Sequence, residues 1–271
     1  MKNEIQNKFA VITGASQGLG KAFAIELAER GCNIILISLP NQDLEELSLF
    51  IQNKFKVQAY FFETDLSNDI NIKQLADNLN NSFSISFLIN NAGVGGSIPF
   101  EDARLDYINT IIQVNIKATT FLTRLLLANL KRQSKSYILN VSSMAAFSPM
   151  GYKTVYPASK AFVHSFSRGL YQELKNTNVF VSVVNPGAMA TNDEIVSRIR
   201  KQGFLGKLTL LKPEKVAKYS ISRLLKRDTV IMVNPIAWFF SAVLPIWIKL
   251  PLMTQIVKRE ICYEKSICDR V

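Results

Sequence analysis

The chain has 271 residues, of which 48% are hydrophobic and 20% are charged, and its formal net charge is +11. This composition excludes a disordered or repetitive protein and provides enough apolar side chains for one large α/β domain with a buried core. Three cysteines without a CxxC pair and a single histidine, His164, argue against a disulfide framework, a metal site and a Ser/His/Asp triad.

The N-terminal segment, MKNEIQNKF, carries charged residues and no apolar stretch before the first predicted strand. A secretory signal needs such a stretch. We therefore expect a cytoplasmic protein.

Short β-branched runs alternate along the chain with longer segments of helical periodicity. This alternation is typical of a doubly wound parallel sheet, and runs this continuously apolar fit strands that helices cover on both faces. We predict a Rossmann-type α/β fold of about seven strands in residues 1–235, followed by an apolar and then basic C-terminal extension in residues 236–271. The predicted strands are residues 9–13, 33–38, 58–63, 87–90, 136–141, 180–185 and 230–233.

The first predicted strand leads into TGASQGLG, with glycines at positions 14, 18 and 20. Glycine permits a tight turn and lets the backbone approach a pyrophosphate, which then lies at the N-terminus of the helix that begins near Gly18. The spacing differs from the general G-x-G-x-x-G fingerprint, so it is the position between a strand and a helix that indicates a dinucleotide site. An ordinary strand-to-helix turn is the structural alternative.

The segment VYPASKAF, residues 155–162, places Tyr156 and Lys160 four residues apart. Because proline is tolerated in the first turn of a helix, Pro157 predicts that a helix begins here and that the two side chains share one face. Ser142 and Ser143 end the strand before this segment. Taken singly, each of these features also occurs by chance in many proteins.

The motifs follow one another in a specific order. Thr13-Gly14-x-x-x-Gly18-x-Gly20 is followed by Asn90-Asn91-Ala92-Gly93, Asn115, Ser143, Tyr156-x-x-x-Lys160 and Pro186-Gly187. This order and approximate spacing resemble those of the short-chain dehydrogenases/reductases, over residues 8 to about 233. The resemblance implies an oxidoreductase that uses NAD(P)(H) to interconvert a carbonyl and an alcohol.

The resemblance implies a catalytic set of Asn115, Ser143, Tyr156 and Lys160. Tyr156 would be the general acid in carbonyl reduction and the general base in the reverse reaction. The Lys160 ammonium would favour the phenolate and hold the nicotinamide ribose. Ser143, rather than Ser142, would hydrogen-bond the substrate carbonyl, and Asn115 would bind a water that continues the proton relay behind the lysine.

The resemblance also implies which residues contact the cofactor. Asp65 resembles the residue that contacts the adenine, and Thr191 the residue that contacts the nicotinamide carboxamide. Together with Tyr156 and Lys160, the implied set is Gly14, Ser16, Gln17, Gly18, Leu19, Gly20, Ser38, Asp65, Leu66, Asn91, Ala92, Gly93, Pro186, Gly187 and Thr191.

The end of the second strand bears on the choice between NAD and NADP. In Rossmann domains an acid there binds the ribose 2′-OH of NAD, and a nearby arginine accommodates the 2′-phosphate of NADP. The segment SLPNQDLEEL, residues 38–47, offers neither where that residue should lie, and Gln17 stands where many NADP-using relatives have a basic residue. Because no carboxylate there would repel a phosphate, and Ser38 and Asn41 could hydrogen-bond it, we predict NADP(H) ahead of NAD(H).

Apolar side chains border the implied catalytic residues and indicate an apolar pocket. Such a pocket suits a ketone or aldehyde on an acyl, lipid-like or polycyclic body; packing of several of these side chains against the core is the alternative. They are Met144, Phe147, Met150 and Tyr152 before Tyr156, and Phe204, Leu205 and Leu208 after Pro186-Gly187.

The C-terminal extension is apolar but too short to span a membrane. Residues 230–248 contain no charge, yet they begin with a predicted strand, and prolines and Lys249 interrupt the rest of the segment, so 236–248 alone cannot form a span. Apolar residues followed by cations instead indicate contact with the inner face of a membrane. A subunit contact, in a homodimer or homotetramer, and a cover over the substrate pocket are the alternatives. The residues are Trp238, Phe239, Phe240, Leu244, Ile246 and Trp247, then Lys249, Lys258 and Arg259.

Two classes of function are therefore open. The first is the oxidoreductase; the second is a non-catalytic dinucleotide-binding protein that serves as a membrane-associated sensor or scaffold, against which the intact set of four catalytic residues argues. The basic charge is not accompanied by a nucleic-acid recognition motif, so we expect no nucleic-acid partner.

Overall fold

A computed structural model describes residues 5–187, 189, 211–235, 238 and 243–268, with side chains at 260 and 262–268 outside the description. Within these ranges seven parallel strands form one sheet in the order β3-β2-β1-β4-β5-β6-β7. The predicted fold class is confirmed, and each strand begins and ends within two residues of its prediction. The strands are β1 Phe9–Thr13, β2 Asn33–Ser38, β3 Ala59–Glu63, β4 Ile85–Asn90, β5 Ser136–Val141, β6 Val179–Asn185 and β7 Val230–Met232.

Helices lie between the strands, as the periodicity predicts. Two short 3-10 helices, Phe100–Asp102 and Met144–Phe147, and a π-helical segment, Ile112–Ala118, interrupt the regular pattern near the loops that follow β4 and β5. The α-helices are α1 Gly18–Glu29, α2 Leu44–Phe55, α3 Asp69–Ser82, α4 Leu105–Ile111, α5 Thr119–Arg132, α6 Val155–Leu174, α7 Pro213–Leu225 and α8 Ile246–Cys268.

Helices cover both faces of the inner strands. Because successive side chains of a strand point to opposite faces, neighbouring residues pack into different clusters. In β1, Ala10 and Ile12 pack into one apolar cluster with residues of α1, α2 and α7, whereas Val11 packs into a second cluster with residues of α3 and α5. The inner strands therefore have no solvent-exposed face, which explains why their sequences are mostly apolar.

The strand order determines where a site can form. The chain moves from β1 outward to β2 and β3 and then returns to place β4 on the other side of β1. The loops that follow β1 and β4 consequently meet at the carboxyl edge of the sheet. In open α/β sheets such a reversal is where ligands bind.

One helical run in the described part of the chain, Leu105–Arg132, is long and apolar enough to cross a membrane. Its side chains at Ala118, Leu122, Leu126 and Leu130 are buried in the second apolar cluster, against the sheet. Helices in the core of a globular protein can be equally long and apolar. Because this run packs against the sheet, we assign it to the core.

Candidate active site

Each glycine of the loop after β1 has its own structural reason. Gly14 and Gly18 adopt φ of +63° and +54°, in the left-handed region that glycine adopts without steric cost. At Gly20 the reason is contact: a Cβ there would lie 1.9 Å from the backbone oxygen of Gly14. The loop can therefore fold tightly onto the first turn of α1, whose N-terminus faces the carboxyl edge of the sheet.

The loop after β1 is joined to the loop after β4 by the side chains of Thr13 and Asn91. Thr13 Oγ1 accepts hydrogen bonds from the backbone N–H groups of Asn91, at 3.0 Å, and Ala92, at 2.9 Å. Asn91 Nδ2 donates to the carbonyls of Thr13, at 2.9 Å, and Gly14, at 3.2 Å. Thr13 thus joins the two loops that the resemblance assigns to the cofactor. In the sequence analysis it appears only as part of a motif and is not among the implied cofactor residues.

Polar side chains gather at the end of β2, where the adenosine part of a dinucleotide would lie. Ser38 Oγ donates to Ser16 Oγ at 2.9 Å, and Ser16 Oγ contacts Gln42 Oε1 at 3.4 Å. A carboxylate also reaches this loop: Glu63, which lies opposite Ser38 in the β2–β3 register, accepts a hydrogen bond from the backbone N–H of Asn41 at 2.9 Å.

The other residues implied on this side of the site lie around the same edge. Asp65 Oδ1 accepts from the Ser67 backbone N–H at 2.8 Å, Leu66 is buried, and Gln17 is exposed at the N-terminus of α1. At the opposite end, the Pro186 carbonyl accepts from the Met144 backbone N–H at 2.9 Å. Thr191 and the apolar residues Phe204, Leu205 and Leu208 lie outside the described residues.

Tyr156 and Lys160 lie on the first turns of α6, which begins at Val155 with Pro157 in its first turn, as predicted. Lys160 is only 4% exposed; its Nζ donates to the carbonyl of Val141 at 2.9 Å and lies 5.9 Å from the centroid of the Tyr156 ring. The bond to β5 explains how a buried ammonium is tolerated, because a buried charge needs hydrogen-bond partners.

The two serines after β5 have different roles. Ser142 is buried and its Oγ donates to the backbone carbonyl of Lys160 at 2.7 Å, so it holds α6 against the sheet. Ser143 caps the 3-10 helix through Ala145 N–H at 3.1 Å and also hydrogen-bonds the hydroxyl of Tyr156. Only Ser143 therefore shares a site with the tyrosine.

Asn115 lies in the π-helical segment and is 1% exposed. Its Oδ1 accepts from the Val94 N–H at 2.8 Å, and its Nδ2 donates to the Val94 carbonyl and to Ser159 Oγ, both at 2.9 Å. Both Nδ2 hydrogens and an acceptor position on Oδ1 are thus used within the protein. The side chain fixes the loop after β4 to α6, and water binding by Asn115 stays a prediction.

Two glycines after β4 leave room for the side chains of Tyr156 and Lys160. A Cβ on Gly93 would lie 3.0 Å from Lys160 Nζ, and a Cβ on Gly95 would lie 2.3 Å from Cδ2 of the Tyr156 ring. Gly95, two residues beyond the Asn-Asn-Ala-Gly motif, is not among the predicted site residues. Any side chain at this position would displace the tyrosine ring.

The protein environment shifts the pKa values of Lys160 and Tyr156. Burial lowers the pKa of Lys160 from 10.5 to about 8. Burial raises the pKa of Tyr156 above its ordinary value, and the hydrogen bond with Ser143 opposes that rise. Desolvation is the larger of the two causes, because burial disfavours the charged phenolate. That Lys160 favours the phenolate in the presence of the cofactor stays a prediction.

A second cation lies beside the tyrosine. Lys153 Nζ is 5.2 Å from the centroid of the Tyr156 ring, at a small cleft lined also by Ile98, Phe100 and Tyr107. The preceding residue, Tyr152, has φ of +60° and its carbonyl accepts from the Ile98 N–H at 2.7 Å. No pattern in the sequence indicates that Lys153 lies here, because its position depends on this unusual turn.

Comparisons with known proteins agree with the site. A family model described as short chain dehydrogenase matches residues 8–201. The very-long-chain 3-oxoacyl-CoA reductase of Rattus norvegicus is 36% identical over 249 residues, which cover 89% of this chain and 77% of the relative. The structure of L-sorbose reductase from Gluconobacter frateurii with NADPH and L-sorbose matches with a TM-score of 0.78 at 25% identity, covering 86% of this chain and 97% of that one.

A short-chain dehydrogenase from Sphingobium yanoikuyae in complex with NADPH is likewise similar, with a TM-score of 0.77 and 26% identity, over 87% of this chain and 92% of that chain. The family model covers well over half of the sequence, and the motifs that carry the resemblance meet in one site. The chain therefore belongs to the short-chain dehydrogenase/reductase family of NAD(P)-binding oxidoreductases.

Proposed function

We propose that the protein reduces a carbonyl group to an alcohol with NAD(P)H and that Tyr156 donates the proton. The observation that carries this proposal is the meeting of Tyr156, Ser143 and Lys160 at the carboxyl edge of the sheet, next to two glycine-lined loops. A proton donor, a hydrogen-bond donor for an oxygen and a buried cation are what carbonyl reduction requires.

The three side chains would act together on the carbonyl group. When held by the loops after β1 and β4, NAD(P)H would supply a hydride to the carbonyl carbon. Ser143 donates a hydrogen bond to the carbonyl oxygen, and Tyr156 transfers its proton to that oxygen as negative charge develops there. Lys160 lies close enough to stabilise the tyrosinate left behind.

The raised pKa of Tyr156 is consistent with a role as proton donor. A phenol with its ordinary pKa of about 10 is already protonated at neutral pH, and burial moves the pKa further from neutrality. The donor is therefore ready before the substrate binds.

The substrate we propose is a carbonyl compound with an apolar body, and a long-chain 3-oxoacyl thioester is the first to test. The loop between Ser143 and Tyr156 supports this with Met144, Phe147 and Tyr152, which are half-buried, although Met150 is buried and fits the packing alternative. The name of the rat relative points to the same class.

A panel of carbonyl compounds tests the proposal. Long-chain 3-oxoacyl thioesters, bulky ketones and, as a polar comparison, L-sorbose would be supplied with NADPH or NADH, and oxidation of the cofactor would be followed by absorbance. We expect turnover with the apolar substrates and little with the sugar. Binding of cofactor without turnover of any compound would instead favour the non-catalytic sensor or scaffold.

For the cofactor we propose a modest preference for NADP(H), limited by Glu63. Ser16, Ser38 and Gln42 offer hydrogen bonds to a 2′-phosphate, but the Glu63 carboxylate reaches the same loop through Asn41. Like charges a few ångströms apart near the surface repel by about 1 kcal/mol. The end of β2 has no acidic residue that would repel a 2′-phosphate, but Glu63 at the end of β3 places a negative charge at the same loop and reduces the preference for NADP(H).

Replacing Glu63 by glutamine should raise the ratio of NADPH to NADH affinity by about fivefold, because the repulsion is removed while the hydrogen bond to Asn41 can remain. Fluorescence titration with both cofactors measures the ratio. Asp77→Asn, which alters an exposed acid on α3, is the matched control and should leave the ratio unchanged. Tighter binding of NADH by the wild type would overturn the preference, and an unchanged ratio in Glu63→Gln would overturn the role of Glu63.

We also propose that the extension beyond Pro235 contacts an anionic membrane surface. Large apolar side chains are exposed within ten residues of one another, with Trp247 73% exposed, and Lys258 and Arg259 follow on the same helix. Soluble surfaces seldom expose so many adjacent apolar side chains, whereas interfacial helices do. Phe239 and Phe240, also predicted to take part, lie outside the described residues. The exposed set is Val243, Ile246, Trp247, Ile248, Leu250 and Leu252.

The double substitution Trp247→Ser and Leu250→Ser should lower the partition coefficient for phosphatidylserine-containing vesicles by at least about tenfold, since two apolar groups that the bilayer would bury are lost. Sedimentation at low salt measures it. Ile70→Ser, which removes an apolar side chain exposed on α3, serves as the control. If the wild type does not sediment with these vesicles, the membrane proposal is wrong and the surface belongs to a protein contact.

A further inference from the structure

The loop from Ser143 to Tyr156, which we call the catalytic loop, carries a proposed catalytic residue at each end. Its regular structure in between is limited to the 3-10 helix Met144–Phe147, which Ser143 caps. The two ends are held by β5 and α6, and the path of the residues in between depends on contacts that hold the loop from outside.

One such contact comes from Lys249 in α8. Its Nζ donates a hydrogen bond of 2.7 Å to the backbone carbonyl of Phe147, at the last residue of the 3-10 helix. On the other side, the Phe147 ring packs edge-on against His164 of α6, with ring centroids 4.9 Å apart. The end of the short helix is thus held between α8 and α6, while Ser143 lies at its beginning.

A second contact comes from Thr254 of the same helix. Its Oγ1 accepts a hydrogen bond of 2.9 Å from the backbone N–H of Gly151. A Cβ on Gly151 would lie 2.7 Å from Thr254 Cγ2, so the two residues approach as closely as only glycine allows. This contact lies five residues before Tyr156.

The inner side of α8 is anchored beyond these two residues as well. Val257, close to one turn after Thr254, is 4% exposed, whereas Trp247 and Leu250 face outward. The helix therefore has an anchored side against the catalytic loop and an outer side that carries the exposed apolar surface. The sequence separation of the contacts, about 100 residues, shows that the anchoring is tertiary.

We propose that Lys249 and Thr254 are positioning residues. They hold the catalytic loop so that the hydroxyl groups of Ser143 and Tyr156 can both hydrogen-bond the same substrate carbonyl oxygen. This inference rests on the proposed carbonyl reduction. Small misplacements of reacting groups are costly, and a shift of about 1 Å can lower a rate by about 10²-fold. The C-terminal extension thereby supports the proposed active site through the inner side of α8, in addition to the membrane contact proposed for its outer side.

The test uses the full-length protein with the single substitutions Lys249→Met and Thr254→Val. Each removes one hydrogen bond and keeps a side chain of similar size. We expect kcat/KM for the best apolar carbonyl substrate to fall about tenfold in each, with the Kd for NADPH unchanged. Lys249→Arg and Thr254→Ser, which retain the hydrogen-bonding groups, should recover most of the loss. Lys218→Met, which removes an exposed cation from α7, is the matched control and should behave as the wild type.

Hydrogen–deuterium exchange of residues 144–155 provides a second measurement that does not need turnover. We expect faster exchange at these residues in Lys249→Met and Thr254→Val, including the Gly151 N–H, and no change in Lys218→Met. Unchanged exchange would overturn the anchoring, and faster exchange with unchanged kcat/KM would overturn the positioning role. If the wild type reduces no carbonyl compound, the proposed reaction fails, and exchange alone decides whether α8 holds the loop.

Discussion

Replacement of Tyr156 by phenylalanine is expected to lower kcat for carbonyl reduction by about 10²- to 10⁴-fold, the usual contribution of a positioned proton donor. The ring would remain packed against Gly95, since only the hydroxyl is removed. The proton for the developing alkoxide would then have to come from water. We expect the melting temperature and the Kd for NADPH to stay close to those of the wild type.

The neighbouring serines provide a matched pair for this experiment. Ser143→Ala should lower kcat/KM because it removes both the hydrogen bond to Tyr156 and the proposed bond to the substrate oxygen. Ser142→Ala removes a buried bond to the Lys160 carbonyl and should lower stability by about 1 kcal/mol, with a smaller effect on rate. Wild-type turnover by Tyr156→Phe would show that another group donates the proton.

Replacement of Lys160 by methionine is expected to separate activity from stability. Activity and cofactor affinity should both fall strongly, because the Lys160 ammonium has two proposed roles. It stabilises the tyrosinate and it binds the ribose of the cofactor. Stability at pH 7 should change little. The buried ammonium has its pKa lowered from 10.5 to about 8, which corresponds to roughly 3 kcal/mol of destabilisation that methionine removes. Loss of the bond to Val141 leaves a carbonyl unpaired and opposes this gain by about 1–3 kcal/mol.

The pH dependence of this stability difference is set by the direction of the pKa shift. Below about pH 8 the lysine is protonated in both the folded and the unfolded chain, so the full cost of burying the charge is present. Between about pH 8 and 10.5 the folded protein binds fewer protons than the unfolded chain, and the stability of the wild type rises with pH. The wild type should therefore become the more stable of the two as the pH rises through this range.

Melting temperatures of the two proteins at pH 7 and at several values up to about pH 10.5, the ordinary pKa of lysine, would measure this. Comparison with Lys160→Met isolates the lysine from other groups that titrate in the same range. A stability difference that does not depend on pH would show that the Lys160 ammonium is not desolvated in the folded protein.

The sequence determined the sheet and the main motifs because both depend on local patterns. A continuous apolar and β-branched run such as residues 33–38 predicts a strand that is covered on both faces. Pro157 near the start of a helical pattern predicts where α6 begins. Tyr156 and Lys160 share a helix face by spacing alone, so their proximity needs no knowledge of the rest of the chain.

Contacts between distant segments were decided only by the tertiary structure. Gly95 against the Tyr156 ring, Glu63 at the loop after β2, and Thr254 on Gly151 join residues that lie 22 to 103 positions apart. A hydrophobic pattern reports which face a residue occupies but carries no information on which distant segment meets that face. The raised pKa of Tyr156 has the same origin, since desolvation depends on everything packed around the phenol and the sequence shows only its neighbours along the chain.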